Sequence, residues 1–393
     1  MNQHSSAPLT ITADVVVAGG AVHRPGWITV DGGVVTGVGS SNPGGERVDL
    51  GDAVVVPGFV DMHVHGGGGG SFTSDSPADI RRAIATHRAH GTTMMVASLV
   101  SAHPAPLAQQ VARLAPFVER GELAGIHLEG PWLAPARCGA HDPASLRVPT
   151  LDEVQRLLDA GRGTIRMVTP APELPGALEA VELLREHGVV VAVGHTNATY
   201  DQTREAIGAG ATVGTHLFNA MRPIDHREPG PIIALTEEPG VVLEVIADGV
   251  HLHPVMLDSV RRLAGPGRIA LVTDSMAAAG MPDGVYELGG LDVDVTDRVA
   301  RLTEAKAIAG STATTDVLFR AAAGDLRLAD DDRLLDAVRM TAATPLHALG
   351  LAPRDLSVGS PADLVVLTPD TDIAEVMCRG AWVDGVLTQE ADS

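Results

Sequence analysis

The stretch GIHLEGPW, residues 125–132, places a glutamate at the end of an apolar run that predicts a buried strand. Gly130 and Pro131 follow the glutamate and end that strand. A buried carboxylate is unfavourable unless a neighbouring group compensates its charge. We therefore expect a positively charged or hydrogen-bonding group beside Glu129, and a metal ion could be that group.

Seven further apolar runs of this kind occupy the middle of the chain, with helical patterns between them. The eight runs are VDMHVH (60–65), TTMMVASL (92–99), LAGIHLE (123–129), TIRMVTP (164–170), VVVAVGH (189–195), ATVGTH (211–216), VVLEVIAD (241–248) and IALVTD (269–274). Helix start signals separate them, as where Ser76 precedes Pro77 and Gly91 ends the pattern. Eight strands alternating with helices predict an α/β fold, a (β/α)8 TIM-type barrel.

The two ends of the chain have a different pattern. Short alternating segments with glycine punctuation fill residues 1–56 and return in residues 356–393. We expect these ends to form one small β-sandwich domain, while residues 57–355 form the barrel catalytic domain. A hairpin-like insert, GVYELGGLDVDVTDRVARL (284–302), follows the eighth predicted strand.

The composition narrows the class of protein. Of 393 residues, 45% are hydrophobic but only 3% are aromatic, which favours an aliphatic core with buried parallel strands. The formal net charge of −21 predicts no nucleic-acid partner, because its field repels polyanions. Lys306 is the only lysine and lies far from every predicted strand end, which disfavours Schiff-base chemistry and a carbamylated-lysine metal bridge.

Cysteine usage and hydropathy predict the location. Cys138 and Cys378 form no CxxC motif, so neither a disulfide framework nor a thiolate zinc site is expected. The first twenty residues lack a basic segment followed by an apolar core, and no apolar run reaches membrane-spanning length. We therefore expect a soluble cytoplasmic protein with no membrane partner.

Six polar side chains of metal-binding type lie at the ends of five predicted strands. They are His63, His65, Glu129, His195, His216 and Asp274. In a barrel all strands point the same way, so these side chains should converge on one rim. His63 and His65 are two apart and face the same side, which suits contribution to one ion. A single strand-end histidine is more often a hydrogen-bonded core residue, but four of them with Glu129 predict a metal site.

Two nearby residues have several interpretations. His127 lies two residues before Glu129 and deeper in the strand, so we expect it to pack against or support the ligands. Asp274 could cap the following segment, bind metal or act as a general base, and the last is favoured by the neighbouring cluster.

Seven motifs between Pro57 and Gly310 together resemble a known family. In order they are PGFVDMHVHG, HLEGPWL, GHTNATY, THLFNAM, REPG, ADGVHLHP and LVTDSM. This set resembles the amidohydrolase superfamily and, within it, the N-acetylglucosamine-6-phosphate deacetylases. HLEGPW and THLFNAM are strong markers of the narrower family, whereas PGFVDMHVH marks only the superfamily.

The resemblance implies a role for each matching residue. Glu129, His195 and His216 would bind the principal divalent ion, with Asp274 as catalytic acid/base. His63 and His65 make a second ion an open question, since members with Gln-x-Asn there hold one. Zinc is the first expectation for one or two ions per subunit, and iron or manganese is chemically compatible. Substrate-contacting positions would be Ala140, His141, Asn219, Ala220, Arg227, Asp248, His251, Ile308, Ala309 and Gly310.

The implied reaction is hydrolysis of N-acetyl-D-glucosamine 6-phosphate to D-glucosamine 6-phosphate and acetate, in a homodimer whose Arg227 reaches the phosphate bound by the neighbouring subunit. One alternative is a deacetylase of another N-acetylhexosamine 6-phosphate, such as the galactosamine epimer. Another is hydrolysis of a cyclic amide, disfavoured because the fourth predicted strand ends in Thr169-Pro170 rather than in a bridging lysine. A barrel kept only as a binding scaffold would be expected to have lost ligands, and none is missing.

Overall fold

The computed structural model describes residues 8–41 and 43–383, which form two compact units. The terminal unit contains the described residues up to Val60, His87–Met94 and the described residues from Thr315 onward. The central unit contains Asp61–Thr86 and Met95–Thr314. No helix in the described part of the chain is both long and apolar enough to cross a bilayer. The predicted domain boundaries at residues 56/57 and 355/356 stay a prediction.

Eight strands follow one another in chain order in a single sheet. Barrel strands 1 to 8 are Phe59–Val64, Thr92–Leu99, Gly125–Glu129, Ile165–Thr169, Val190–Val193, Ala211–Gly214, Val242–Val245 and Ile269–Leu271. The backbone N–H of Asp274 donates to the carbonyl of His63 at 2.9 Å, so the chain after strand 8 meets strand 1 and closes the barrel. The predicted (β/α)8 barrel is confirmed.

Helices alternate with these strands and begin at recognisable signals. The helices are Pro77–Ala89, Pro104–Glu119, Leu151–Gly161, Ala177–Glu186, Tyr200–Ala209, Gly230–Glu237, Pro254–Ala264, Thr315–Ala323, Asp331–Val338 and Thr344–Ala348. Short 3₁₀ turns lie at Pro135–Arg137, Pro143–Ser145 and Pro266–Arg268, and a π turn at Arg339–Ala343. Pro77 is the first residue of its helix, as the sequence predicts. Thr199 and Gln202 form a capping box that fixes the start of another helix.

Several barrel strands end earlier than the sequence predicts. Strands 5, 6 and 8 stop at Val193, Gly214 and Leu271, so that His195, His216 and Asp274 lie just beyond the sheet. These three residues have positive φ angles of 46°, 25° and 49°, a conformation that side chains other than glycine rarely adopt. Each such residue costs about 1–3 kcal/mol and persists only where its surroundings hold it. The chain thus leaves the barrel sheet before these positions, and their polar side chains lie at the ends of the strands.

The terminal unit contains a two-sheet sandwich beside three of the helices given above. Its four-stranded sheet has the order Val34–Gly39, Gly26–Asp31, Leu9–Ala13 and Val48–Asp49. Its six-stranded sheet has the order Ala381–Trp382, Ile373–Cys378, Leu364–Leu367, Val54–Pro57, Val15–Ala18 and Ala21–His23. Ile11 and Ile28 from the first sheet share one buried core with Val55 and Leu364 from the second. The predicted sandwich formed from both chain ends is confirmed.

The insert after barrel strand 8 is a three-stranded antiparallel meander of Gly284–Leu288, Leu291–Thr296 and Val299–Leu302. Its Leu288 and Val293 pack with Met276 and Ala309 in a small apolar core. Gly66–Gly67 and Gly70–Ser71 form a further short hairpin. The meander thereby fixes the segment after barrel strand 8 and the loop that contains Ala309.

Candidate metal centre and active site

Glu129, His195 and His216 meet at the rim of the barrel. Oε1 of Glu129 lies 3.1 Å from Nε2 of His195 and 3.0 Å from Nε2 of His216. The two Nε2 atoms are themselves 3.0 Å apart. We call these three residues the first half-site.

His63, His65, Glu129 and Asp274 form a second half-site that shares Glu129 with the first. Their ligand atoms lie within 4.8 Å of one another, and all four residues are buried. Nε2 of His65 is 3.3 Å from Oε2 of Glu129 and 3.2 Å from Oδ1 of Asp274. Nε2 of His63 is 3.2 Å from Nε2 of His65 and 3.5 Å from Oδ1 of Asp274. All six strand-end residues singled out in the sequence are therefore in one cluster.

The spacing of these atoms fits a central cation. Four ligands about 2.0–2.1 Å from a tetrahedrally bound ion lie roughly 3.4 Å from one another. Eight donor-atom distances within the two half-sites are 3.0–3.5 Å, and none within the second half-site exceeds 4.8 Å. Imidazole nitrogen and carboxylate oxygen are the donors that zinc, iron and manganese accept in proteins.

Hydrogen bonds at Nδ1 direct the Nε2 lone pairs of three histidines into the cluster. Nδ1 of His65 lies 3.2 Å from the carbonyl of Ser98, and Nδ1 of His195 lies 2.9 Å from the carbonyl of Arg137. A carbonyl only accepts, so the ring proton of each neutral histidine sits on Nδ1. Nδ1 of His63 is likewise placed against the Glu244 carboxylate at 3.0 Å. This anchoring is the arrangement that metal-binding histidines show in proteins.

The electrostatics of the cluster favour positive charge. Burial lowers the pKa of His65, but the hydrogen bonds that it forms with Asp274 and Glu129 outweigh this effect and raise the pKa to about 9. Burial likewise lowers the pKa of His63, yet Glu244, Glu129 and Asp274 hold it well above its ordinary value. The site therefore stabilises a cation placed among these carboxylates.

His141 also lies beside the carboxylate of Glu129, but its ring is the opposite tautomer to those of His65 and His195. The backbone N–H of Ser101 donates to Nδ1 of His141 at 3.1 Å, so the ring proton of neutral His141 sits on Nε2. That Nε2 lies 3.3 Å from Oε2 of Glu129. Burial lowers the pKa of His141 to about 4, which keeps the ring neutral at pH 7. In this tautomer His141 is a hydrogen-bond donor facing the cavity, although it also lies near enough to Glu129 and His195 for the three to form a further group of metal-binding type.

Asp274 presents a carboxylate at the end of barrel strand 8. Burial raises the pKa of Asp274, but His63 and a hydrogen bond from His65 lower it well below its ordinary value. Its backbone carbonyl accepts a hydrogen bond from the Ser311 N–H at 2.8 Å, and Gly310 packs closely against that carbonyl. The carboxylate is ionised at neutral pH and held in place by its backbone, as a proton acceptor requires.

A cavity of about 480 Å³ opens onto the cluster. The predicted site residues that line it are His65, Glu129, Ala140, His141, His195, His216, Asn219, Ala220, His251, Asp274, Ile308 and Gly310. His63 lies behind the cavity wall, and Ala309 is buried in the apolar core beneath the meander. Arg227 is exposed and does not line the cavity of its own chain. The size is in the range of a small-molecule site.

Asp248 acts on the cavity through His251. Oδ2 of Asp248 lies 2.9 Å from Nδ1 of His251, and Oδ1 accepts the backbone N–H of His251 at 2.8 Å. Burial lowers the pKa of His251, whereas Asp248 raises it above the ordinary value. Of this predicted pair, the structure therefore places His251 at the cavity and Asp248 beneath it.

The sequence interpretation missed Glu244 and Arg137. Glu244 is a charged residue inside the apolar run VVLEVIAD, the same signal that singled out Glu129, but it does not lie at the strand end. Arg137 lines the cavity, and its guanidinium is held by Oδ1 of Asn197 at 3.1–3.2 Å. His127 donates to or accepts from Ser98 and Thr169 at 2.9 and 2.8 Å, which places it in the predicted supporting position.

Residues 54–383 match the amidohydrolase family. The chain belongs to the amidohydrolase family. It is an amidohydrolase with an α/β barrel and a buried group of histidines and carboxylates of metal-binding type. Family membership alone does not set the substrate, but the relatives and solved structures similar to this chain favour deacetylation over the cyclic-amide alternative.

The curated relatives include deacetylases named for two different sugar epimers. The chain is 31% identical over 397 residues to the N-acetylglucosamine-6-phosphate deacetylase of Bacillus subtilis strain 168, covering 98% of each chain. It is 34% identical over 349 residues to the N-acetylgalactosamine-6-phosphate deacetylase of Escherichia coli O157:H7, covering 85% of this chain and 87% of the relative.

A solved structure of higher identity comes from Mycobacterium smegmatis. It is a mutant of N-acetyl-D-glucosamine-6-phosphate deacetylase in complex with N-acetyl-D-glucosamine-6-phosphate. The identity is 53%, the TM-score is 0.94, and the alignment covers 96% of this chain and 100% of the other. This amidohydrolase therefore shares its complete fold with a protein that binds a phosphorylated amino sugar.

Proposed function

We propose that this amidohydrolase removes the acetyl group of N-acetyl-D-glucosamine 6-phosphate, giving D-glucosamine 6-phosphate and acetate, in amino-sugar catabolism and recycling. One observation supports the proposal most strongly. Glu129, His195 and His216 lie in the same cavity as the carboxylate of Asp274 and the N–H of His141. An amide hydrolase needs these three things: a cation site, a proton carrier and a donor for the carbonyl oxygen.

The residues present fit a divalent ion by donor type, spacing and tautomer. Glu129, His195 and His216 would hold it, with His63 and His65 available for a second. A divalent ion bound there would lower the pKa of a water molecule and polarise the acetyl carbonyl. Zinc is the first candidate on these donors, and iron or manganese also accepts them.

Asp274 and His141 would carry the chain's own part of the chemistry. Oδ1 of Asp274 takes the proton of the attacking water and later gives it to the amine nitrogen, so that acetate and the free amine separate. The Nε2–H of His141 donates to the carbonyl oxygen as negative charge develops there. His251, held by Asp248, is placed to bind a sugar hydroxyl.

The phosphate would lie at the far side of the cavity, near Asn219 and Ala220. The backbone N–H of Ala220 has no acceptor among the residues that the structure describes, so it is available to a phosphate oxygen. Arg137 lines the same cavity, and its guanidinium donates to the amide oxygen of Asn197. A second cation, Arg227, would come from the neighbouring subunit of a homodimer. Such short contacts can bind an anion despite a net charge of −21.

The galactosamine epimer is the second candidate substrate, because the chain is also similar to a deacetylase of that name. We also propose a cytoplasmic location, because a sugar phosphate stays in the compartment where it is made. The two free cysteines suit a reducing compartment.

Acetate release tests the proposal directly. The purified protein is stripped of metal, reloaded with Zn²⁺, Fe²⁺ or Mn²⁺, and assayed on both phosphorylated epimers and on unphosphorylated N-acetylglucosamine. We expect activity only with metal, and the highest kcat/KM on N-acetylglucosamine 6-phosphate. Undiminished turnover by a metal-free preparation would exclude the mechanism, and a higher kcat/KM on the galactosamine epimer would assign the second candidate.

A further inference from the structure

One side of the active-site cavity is apolar and has no part in the mechanism proposed above. Four residues from three separate segments of the chain line it, and we call them the apolar wall: Val100, Leu288, Ala307 and Ile308. Val100 and Leu288 are each only 5% exposed and belong to the apolar core beneath the meander. These two side chains are therefore fixed parts of the wall, because a close-packed core restricts their movement.

Val100 lies next to the groups that would act on the substrate. The carbonyl of Ser98 accepts from Nδ1 of His65, and the backbone N–H of Ser101 donates to Nδ1 of His141. Val100 follows the first of these backbone anchors by two residues and immediately precedes the second. Its side chain thus lines the cavity close to both rings.

Leu288 is held against Val100 by a tight hairpin turn. Leu288 pairs with Leu291 across Gly289 and Gly290, whose φ angles are 59° and 85°. Two successive residues with positive φ form the turn type that matches the twist of a two-stranded hairpin, which fixes the ends of both strands. A Cβ added at Gly289 would lie 2.5 Å from Cγ2 of Val100. The turn therefore packs directly on Val100 and leaves no room between them.

The third segment of the apolar wall lies beside Asp274. The carbonyl of Ala307 accepts the Leu302 N–H at 2.9 Å, so this segment is bonded to the last strand of the meander. Ile308 follows in the chain, and a Cβ added at Gly310 would lie 2.8 Å from the carbonyl oxygen of Asp274. The apolar wall therefore extends from the oxyanion donor to the proton carrier.

The geometry of an amide directs the acyl chain toward the apolar wall. The proposed mechanism places the carbonyl group between Oδ1 of Asp274 and Nε2 of His141, and the phosphate near Asn219 and Ala220. A secondary amide is planar and trans, so its acyl carbon points away from the carbon that carries the nitrogen, which here belongs to the sugar. The methyl group of the substrate would thus face the apolar wall.

We propose that the apolar wall is an acyl subsite that accepts a methyl group and excludes longer chains, with Val100 and Leu288 as its specificity-determining residues. The inference rests on the deacetylation proposed above and adds the acyl group that the site selects. A packed apolar wall discriminates by size, because an added methylene must displace side chains that have no room to move. Shortening either residue should therefore let water cleave the same amide bond in substrates with longer acyl chains.

The test compares hydrolysis of the N-acetyl, N-propionyl and N-butyryl derivatives of D-glucosamine 6-phosphate by the metal-loaded wild type, Leu288→Ala and Val100→Ala. The free amine is a product in every case, so one amine assay gives kcat/KM for all three compounds. We expect the wild type to prefer the acetyl compound. Leu288→Ala should raise the butyryl-to-acetyl ratio of kcat/KM, and Val100→Ala the propionyl-to-acetyl ratio, by roughly 10- to 100-fold over the wild type.

Val285→Ala is the matched control. Val285 lies in the same strand as Leu288, but it is 71% exposed and does not line the cavity. We expect this variant to keep the wild-type ratios. A wild type that hydrolyses all three compounds equally well, unchanged ratios in both Leu288→Ala and Val100→Ala, or an equal change in Val285→Ala would each overturn the proposal. If Leu288→Ala does not fold, as judged by circular dichroism, Leu288→Val decides with the propionyl compound, because it removes one carbon and keeps the core apolar.

Calorimetric binding of the same compounds separates this inference from the proposed function. Binding is measured in Asp274→Asn, which should hold the compounds without turnover, with and without Leu288→Ala. If the wild type hydrolyses none of the three, the proposed function is contradicted, whereas a gain of affinity for the butyryl compound with Leu288→Ala still supports the subsite. Hydrolysis of the acetyl compound with a chain-length preference that neither variant changes would contradict the subsite alone.

Discussion

The side chains of His65 and His141 are chemically identical but are prepared for different tasks by one backbone group each. The carbonyl of Ser98 accepts from Nδ1 of His65 and leaves Nε2 with its lone pair, as a ligand needs. The N–H of Ser101 donates to Nδ1 of His141 and leaves Nε2 with its proton, as an oxyanion donor needs. The direction of a single hydrogen bond therefore decides the tautomer of each histidine, and with it the role that we propose for each.

At the scale of a single residue, Asp274→Asn tests the proposed role of this carboxylate as the proton carrier. The substitution keeps the shape of the side chain but removes the group that accepts a proton, so we expect kcat to fall roughly 10²-fold or more. The ion held by Glu129, His195 and His216 should stay bound and KM should change little, because Asp274 does not belong to that half-site. The measurement is the steady-state rate of acetate release together with metal analysis of the same sample.

A near-normal kcat in Asp274→Asn would mean that another group moves the proton. Loss of the bound ion together with activity would instead assign Asp274 as an essential ligand. Measuring metal and rate on one preparation separates the two results.

At the scale of elements, the junctions after barrel strands 5 and 6 carry the first half-site. Gly194 precedes His195, and Thr215 precedes His216. A Cβ added at Gly194 would lie 2.6 Å from Cβ of Thr215 and 2.8 Å from Cγ2 of Thr169. The absence of a side chain at Gly194 thus lets three adjacent strand ends approach closely enough for the two histidines to share Glu129.

Gly194→Ala should therefore force barrel strands 5 and 6 apart. Overpacking of this kind destabilises by about 1–3 kcal/mol, and we expect a lower melting temperature and weaker metal binding. The midpoint of thermal unfolding and the Zn²⁺ affinity measure the two effects.

Gly208→Ala supplies the matched control in the neighbouring helix Tyr200–Ala209. No atom lies within 4 Å of the added Cβ, so the same substitution should be neutral or stabilise by roughly 0.4–1 kcal/mol. Equal behaviour of the two variants would show that contact at Gly194 does not position the histidines.

At the scale of the whole molecule, Arg227 links the proposed site to the proposed dimer. Arg227 is exposed, its backbone N–H donates to Oδ1 of Asp225 at 2.9 Å, and it does not line the cavity of its own chain. An arginine there would usually be a solvated surface residue. Its proposed role in the partner's site is therefore a claim about assembly, which a hybrid dimer can test.

A hybrid of one Arg227→Ala subunit and one Asp274→Asn subunit should recover close to half of the wild-type activity. The first subunit keeps its own Asp274 and takes an intact Arg227 from the second, which gives one complete site. Each mutant homodimer has none. Co-expression with two different tags isolates the hybrid, and its rate of acetate release is compared with those of both parents.

The control hybrid places both substitutions in one subunit opposite a wild-type subunit. It has the same composition, but every site then lacks one of the two residues if Arg227 acts across the interface. We expect little activity from it. Activity in this hybrid, with none in the first, would show that Arg227 acts within its own subunit.

The sequence by itself determined the barrel and most of the rim. Eight apolar runs separated by helices are compatible with few folds. Because parallel strands all end on one side of a barrel, the sequence alone could place His63, Glu129 and His216 close together. The glutamate inside an apolar run was informative because burial of a lone carboxylate is unfavourable. Finer roles, such as the substrate contacts and the cross-subunit arginine, came from resemblance to a family.

Only the tertiary structure decided what each of these side chains can do. Ring tautomers depend on partners distant in the chain, as for His63 and Glu244, which are 181 residues apart, and His141 and Ser101, which are 40 apart. The left-handed conformations of His195, His216 and Asp274 are equally invisible in a strand pattern, which predicted that the strands would run through these positions. Periodicity records which residues are buried, but the direction of a hydrogen bond is fixed by the neighbour that folding supplies.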